Sequence, residues 1–169
     1  MLAELIGKRR YASTDDLRNV FGDYHNVLRW LAVFLVGDRT TAESCIVDAC
    51  GIIQSPEPMF HEWLVKWGAV ATVRFALRSQ YKGIEMVVSA YAADEEMEEE
   101  RPPLSAQQVA ILIKNSEALH ARLDVLCRFA LVLRGVAQYS LEQTAQSLGV
   151  PRGVAARAYR VAFDTATTT

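Results

Sequence analysis

Three arginines lie close together near the end of the chain: Arg152, Arg157 and Arg160. A guanidinium group keeps its positive charge and donates several N–H bonds in one plane, so it binds phosphate oxygens and the acceptor edge of guanine. The segment 105–169 around them contains seven basic and four acidic residues, although the whole chain has a formal net charge of -2. These residue types favour contact with an anionic partner.

The residues before the arginines predict the elements that position them. Ser140 and Gln143 have the spacing of a capping box, and Gly149 suits the left-handed turn that ends a helix. Pro151 fits the start of a following helix, where its missing N–H needs no partner. Together with the small Ala145, four residues before Gly149, this spacing is typical of DNA-binding helix-turn-helix units.

The second helix of this unit is predicted over residues 152–163 and has one apolar side. Its inward-facing residues follow helical spacing: Ala155, Tyr159 and Ala162. Arg157 and Arg160 then point outward, and Arg152 lies at the helix entrance. The alternative is that these arginines only solvate the face of a short helix and bind no partner.

Helical periodicity continues through the rest of the chain, which predicts an all-α protein of two small helical domains joined by an acidic linker. The linker prediction rests on the segment 84–104, which has one basic and seven acidic residues and cannot bury a core face. The predicted divisions are an N-terminal extension 1–11, a helical domain 12–86, the linker 87–103 and the helix-turn-helix domain 104–169.

The predicted helices follow from apolar spacing, caps and prolines. A first helix begins at Asp15 or Asp16 and ends at Gly37, a second begins near Thr40 or Thr41, and prolines at 56 and 58 end it. The remaining predicted helices cover 60–81, 105–112, 116–133, 141–147 and 152–163, followed by frayed terminal residues.

The same sequence argues against several other functions. Cys45, Cys50 and Cys127 form no CxxC pair and lie in apolar helical stretches, so we interpret them as buried side chains in a reducing cytosol; metal ligation is the alternative. The longest apolar run, 27–36, is too short to span a membrane. Phosphate-loop, GxSxG and HExxH motifs are absent. We therefore expect a cytoplasmic protein that is not an enzyme and has no metal or cofactor.

Three stretches resemble one known family in the same order. YSLEQTAQSLGVPRGVAARAYRVAF (139–163) resembles the C-terminal promoter-binding domain of bacterial extracytoplasmic-function sigma factors, the initiation factors of RNA polymerase. VFGDYHNVLRWLAVFLVGDRTTAESCIVDA (20–49) resembles their first domain, and FHEWLVKWGAVATVRFAL (60–77) is similar to the helix that follows it. The resemblance covers roughly residues 15–163.

This resemblance implies a transcription initiation factor with a sigma region 2-like domain and a sigma region 4-like domain. Its partners would be core RNA polymerase, promoter DNA and an anti-sigma factor. The residues matching the polymerase-binding stretch are Asp38, Arg39, Glu43 and Asp48. The candidates for the melted promoter strand are Arg74, Arg78 and Lys82, and those for duplex DNA are Arg152, Arg157 and Arg160.

Three features differ from the family pattern. The stretch TTAES after Arg39 is less acidic, and only QSPEPM precedes Phe60, where the family has a longer loop. The second helix of the helix-turn-helix has Val154, Ala155 and Ala156 where the family typically has threonine, valine and lysine, and Ala158 where it often has arginine. These differences favour an alternative, a sigma-like protein that binds a regulator or polymerase without opening a promoter. Its interface would then be the apolar surface around Val154, Ala156 and Phe163.

Overall fold

The computed structural model describes residues 25–53, 61–92 and 100–168, and in these ranges every regular element is helical. The predicted all-α class is therefore confirmed. The described α-helices are α1 (His25–Val36), α2 (Arg39–Ile53), α3 (His61–Val88), α4 (Ala106–Lys114), α5 (Ser116–Arg122), α6 (Val125–Ala130), α7 (Leu141–Leu148) and α8 (Arg152–Thr167).

The chain divides into two compact units, Met1–Ala76 and Leu77–Thr169, and the division falls inside α3. The sequence predicted a division in the acidic linker instead. Residues 93–99 of that linker and the N-terminal extension 1–11 lie outside the described part of the chain. The predicted domain boundaries therefore stay a prediction.

In the first unit, α1 and α2 pack against each other across a two-residue turn. Gly37 has φ 84°, and its N–H donates to the Val33 carbonyl at 2.8 Å, which ends α1 as predicted. Asp38 caps α2: its Oδ2 accepts the N–H and the hydroxyl of Thr41, both at 2.7 Å. Both hydrogen bonds lower the pKa of the Asp38 carboxyl, and the bond from the Thr41 hydroxyl has the larger effect.

Small residues allow the helices of the first unit to approach closely. One buried cluster of this unit places two larger side chains, Leu28 and Ile46, among alanines from three helices. The buried alanines are Ala32, Ala42, Ala49 and Ala71. The hydroxyl of buried Thr72 donates to the Gly68 carbonyl at 2.8 Å, so this polar group is satisfied within its own helix.

The second unit contains the region predicted to form the helix-turn-helix domain. Ser105 and Ser140 form complete capping boxes at the starts of α4 and α7, with Gln108 and Gln143 as the reciprocal partners. The predicted single helix 116–133 is wrong. It is interrupted between α5 and α6, where Leu123 and Asp124 are extended.

The interruption has a local cause. The Oδ1 of Asp124 accepts the Cys127 N–H at 2.8 Å and so begins a new helix. Arg128 satisfies the end of the preceding helix by donating to the Leu123 carbonyl at 2.7 Å. Side-chain caps at this point replace backbone bonds that a continuous helix would make.

A π-helical turn, Leu131–Val136, follows α6 directly. Its Gly135 lies against two buried side chains: an added Cβ would come within 3.1 Å of Leu104 and 3.4 Å of Tyr159. The missing side chain lets residue 104 and the C-terminal helix pack against the same backbone. The terminal residues predicted to fray continue α8 to Thr167 instead.

Candidate nucleic-acid interface

Helices α7 and α8 are joined by three residues, 149–151. Gly149 has φ 66° and ψ 32°, and the Val150 N–H donates to the Ala145 carbonyl at 3.1 Å, closing the end of α7. The Pro151 carbonyl accepts the N–H groups of Val154 at 3.0 Å and Ala155 at 3.1 Å, which begins α8. The turn therefore uses glycine and proline as the sequence predicted.

One side of α8 is fully buried in the second unit. The predicted inward positions are confirmed, since Ala155, Tyr159 and Ala162 are each at most 1% exposed. Val154 and Ala158 are buried as well, so they are core residues. The predicted alternative interface is corrected at Val154, which is buried and only 4% exposed, while Ala156 and Phe163 are half-buried.

The three arginines of α8 differ in environment. Arg152 is exposed, with 60% of its side chain accessible, and its Nη2 pairs with the Glu100 carboxylate at 2.5 Å. Arg160 is half-buried. Arg157 was predicted to point outward, but its Nε is buried and its Nη2 lies 3.2 Å from the point where a Cβ of Gly153 would be. Arg157 therefore lies back along its own helix.

Residues 100–104, which we call the strap, lie against α8 and the π-helical turn. The Tyr159 hydroxyl donates to the Pro102 carbonyl at 2.7 Å, and the Leu104 N–H donates to the Gly135 carbonyl at 3.1 Å. Leu104 is only 4% exposed. The described end of the predicted linker, residues 100–103, is therefore held by other elements, although Glu100 and Pro102 are exposed as a solvated segment would be.

Ion pairs extend the strap along α8. Arg101 pairs with Asp164 at 3.0 Å, in addition to the pair between Glu100 and Arg152. Arg134 donates to the Tyr139 carbonyl at 3.0 Å, and its guanidinium carbon lies 6.0 Å from the centre of the Tyr159 ring. Burial raises the pKa of Tyr159 to about 12. Its hydroxyl therefore stays protonated and keeps donating to the strap.

The other predicted site residues are accessible. Arg74, Arg78 and Lys82 are all exposed on α3 and follow one another at four-residue spacing. The predicted polymerase-binding residues are all exposed at the start and middle of α2: Asp38, Arg39, Glu43 and Asp48. Asp38 also serves as the helix cap, and Glu43 lies 3.8 Å from Arg29.

Sequence reasoning missed one polar cluster, formed by Tyr91, Asp124 and Cys127. The Tyr91 hydroxyl bonds to the Asp124 carboxylate and lies 2.9 Å from the Cys127 Sγ. Burial raises the pKa of the Cys127 thiol to about 12, and burial followed by the Asp124 hydrogen bond raises the pKa of Tyr91 well above its usual range. Protonated side chains suit a structural contact better than nucleophilic chemistry. The Asp124 cap was the only signal in the sequence.

The residues that the structure describes contain no group of three His, Cys, Asp or Glu side chains able to hold a metal ion. Cys45 and Cys127 are buried, as predicted, and Cys50 is half-buried. In the same described ranges, no helix combines the length and apolar character needed to cross a bilayer. Comparison with known proteins found no matching family model, curated protein or solved structure.

Proposed function

We propose that this protein is a transcription initiation factor of the extracytoplasmic-function sigma type. The observation that carries the proposal is the arrangement of α7 and α8: two capped helices joined by a left-handed glycine, with Arg152 and Arg160 on the accessible side of the second. The α8 helix is about 24 Å long at 1.5 Å per residue, a length that fits a DNA major groove. The helix-turn-helix therefore binds promoter DNA.

The basic residues of α8 supply affinity, and its small residues limit base recognition. Each arginine that contacts a phosphate contributes about 0.9 to the slope of log affinity against log salt. Arg157 is a weaker candidate than its neighbours because its Nε is buried. Two or three such contacts make a weak module, so we assign additional strand contacts to Arg74, Arg78 and Lys82, all exposed on α3.

The polymerase contact is assigned to the exposed face of α2. Asp48 is the best residue to test because it is exposed and lies in the middle of the helix, away from the cap made by Asp38. Reversing its charge with Asp48→Arg should weaken association with core RNA polymerase while leaving the fold intact. Glu117→Arg, a charge reversal at an exposed residue of α5, is the matched comparison. If the Asp48→Arg variant binds core polymerase as well as the wild type does, the assignment of this contact to α2 is refuted.

The DNA contact is tested by replacing exposed Arg152 together with half-buried Arg160. The double variant Arg152→Ala with Arg160→Ala should bind DNA more weakly, and its salt slope should fall by about 1.8 if both contact phosphates. Arg122→Ala removes an exposed arginine from α5 and serves as the control. An unchanged affinity and an unchanged salt slope in the double variant would refute the assignment of α8 to DNA.

A second function, a sigma-like protein that binds a regulator, is favoured by one observation. The accessible side of α8 carries Gly153, half-buried Ala156 and Val161, which is 42% exposed, instead of side chains that read base edges. Transcription with purified core polymerase and a genomic template library separates the two functions. Promoter-specific transcripts support the initiation factor, whereas binding to core without such transcripts supports the sigma-like protein.

A further inference from the structure

The strap lies where it can compete with DNA. Its Glu100 carboxylate pairs with Arg152, the most accessible arginine of α8, at the end of the helix where a phosphate would be bound. A carboxylate and a phosphate oxygen use the same donors of a guanidinium group. One arginine therefore cannot pair fully with both.

The backbone of the strap keeps this competitor in place. The Pro102 carbonyl accepts from Tyr159, the Leu104 N–H donates to Gly135, and the Leu104 side chain is buried. None of these anchors involves the Glu100 side chain. The carboxylate is thus held near Arg152 by contacts that survive when the ion pair breaks, which gives it a high effective concentration at that arginine.

The pair is also easily broken. The side chains of Glu100 and Arg152 are 49% and 60% exposed, so water and salt screen their attraction. A rotation of the Glu100 side chain alone would release the arginine, because the anchors lie at Pro102 and Leu104. Such a contact lowers affinity by a modest factor and does not block the helix.

We propose that Glu100 is an internal competitor of DNA phosphate at Arg152, an autoinhibitory contact that weakens DNA binding by the intact chain. This inference rests on the proposed DNA-binding function. An exposed ion pair of this kind corresponds to a change of about two- to fivefold in a dissociation constant. Raised salt screens the pair as well as the DNA contact, so the effect of losing Glu100 should shrink as salt increases.

The experiment measures binding of the full chain to a fluorescent DNA duplex of random sequence at low salt, by anisotropy. Glu100→Gln keeps the side-chain shape and removes the charge, and it should bind about two- to fivefold more tightly than the wild type. Glu117→Gln removes one exposed charge from α5 and should bind like the wild type. Thermal unfolding by circular dichroism checks that both variants fold.

A double-mutant cycle tests whether the effect passes through Arg152. In an Arg152→Gln background, Glu100→Gln should give no further tightening, because the competitor has lost its target. Equal tightening by Glu100→Gln and Glu117→Gln, or persistence of the Glu100→Gln effect without Arg152, would show a general charge effect and overturn the inference.

Two further outcomes separate this inference from the proposed function. If Arg152→Gln weakens binding but Glu100→Gln binds like the wild type, the autoinhibitory contact is refuted and the DNA contact stands. If no variant binds DNA even at low salt, the proposed function fails and the inference fails with it.

Discussion

Replacing Gly149 with alanine should destabilise the turn between α7 and α8 through the backbone alone. Gly149 has φ 66°, and a Cβ added there would meet no atom within 4 Å. The left-handed conformation costs an L-residue about 1–2 kcal/mol. Alanine recovers roughly 0.5–1 kcal/mol because it loses less conformational entropy than glycine on folding. The net decrease in the free energy of unfolding is therefore roughly 1 kcal/mol.

Urea and thermal unfolding, followed by circular dichroism, measure this change. A loss of about 1 kcal/mol corresponds to a decrease in Tm of roughly 4–8 °C for a unit of this size. Gly149→Asn should lose less stability than Gly149→Ala, because asparagine tolerates the left-handed region better than alanine. Gly51→Ala is the control: Gly51 is exposed within α2 with open space around it, so alanine should stabilise that helix by about 0.5–1 kcal/mol.

Two outcomes would refute this reasoning. The first is a Gly149→Ala variant at least as stable as the wild type, which would mean that the turn does not require the left-handed conformation. The second is a Gly149→Asn variant less stable than Gly149→Ala, which would place the cost in the side chain instead of the backbone.

Three other predictions concern polar contacts. Tyr159→Phe should lower the free energy of unfolding by about 1 kcal/mol in urea titrations, because the Pro102 carbonyl loses its donor. Burial raises the pKa of Cys127 to about 12 from its usual 9.0. The free energy of unfolding should therefore fall as pH rises between these two values, and this fall should be smaller in Cys127→Ala. The pKa of Asp38 is lowered by Thr41, so its cap should weaken as pH falls below about 4; Asp38→Asn should remove this acid dependence.

Local sequence signals predicted much of the described fold. The caps at Ser105 and Ser140 and the turn at Gly149 were predicted because each depends on residues at most four positions apart. The interruption at Asp124 was missed although its cap joins residues only three positions apart. Apolar periodicity runs through it unbroken, and the cap that begins α6 is completed by Arg128, which donates to the Leu123 carbonyl. A periodic pattern alone does not show that a carboxylate will compete with the backbone.

The strap could not be predicted because its contacts join residues far apart in the chain. The segment that contains it, residues 84–104, is rich in acid, and that composition is typical of a solvated linker. What holds it is a pair of features from other elements: the absence of a side chain at Gly135, which leaves room for Leu104, and the hydroxyl of Tyr159, which reaches Pro102. Neither feature has a sequence signature, since both residues also fit an ordinary helix core.

The environments of single side chains in the candidate site could not be predicted from the sequence either. Spacing predicted that Arg157 and Arg160 point outward from one helix and that Arg152 lies at its entrance. Their environments differ because Gly153 leaves room for Arg157 to fold back, while Glu100 arrives from the strap to neutralise Arg152. The positive charge on this helix therefore depends on a carboxylate outside it. Under the proposed function, removing Glu100 should change DNA affinity without any change in the helix that we propose contacts the DNA.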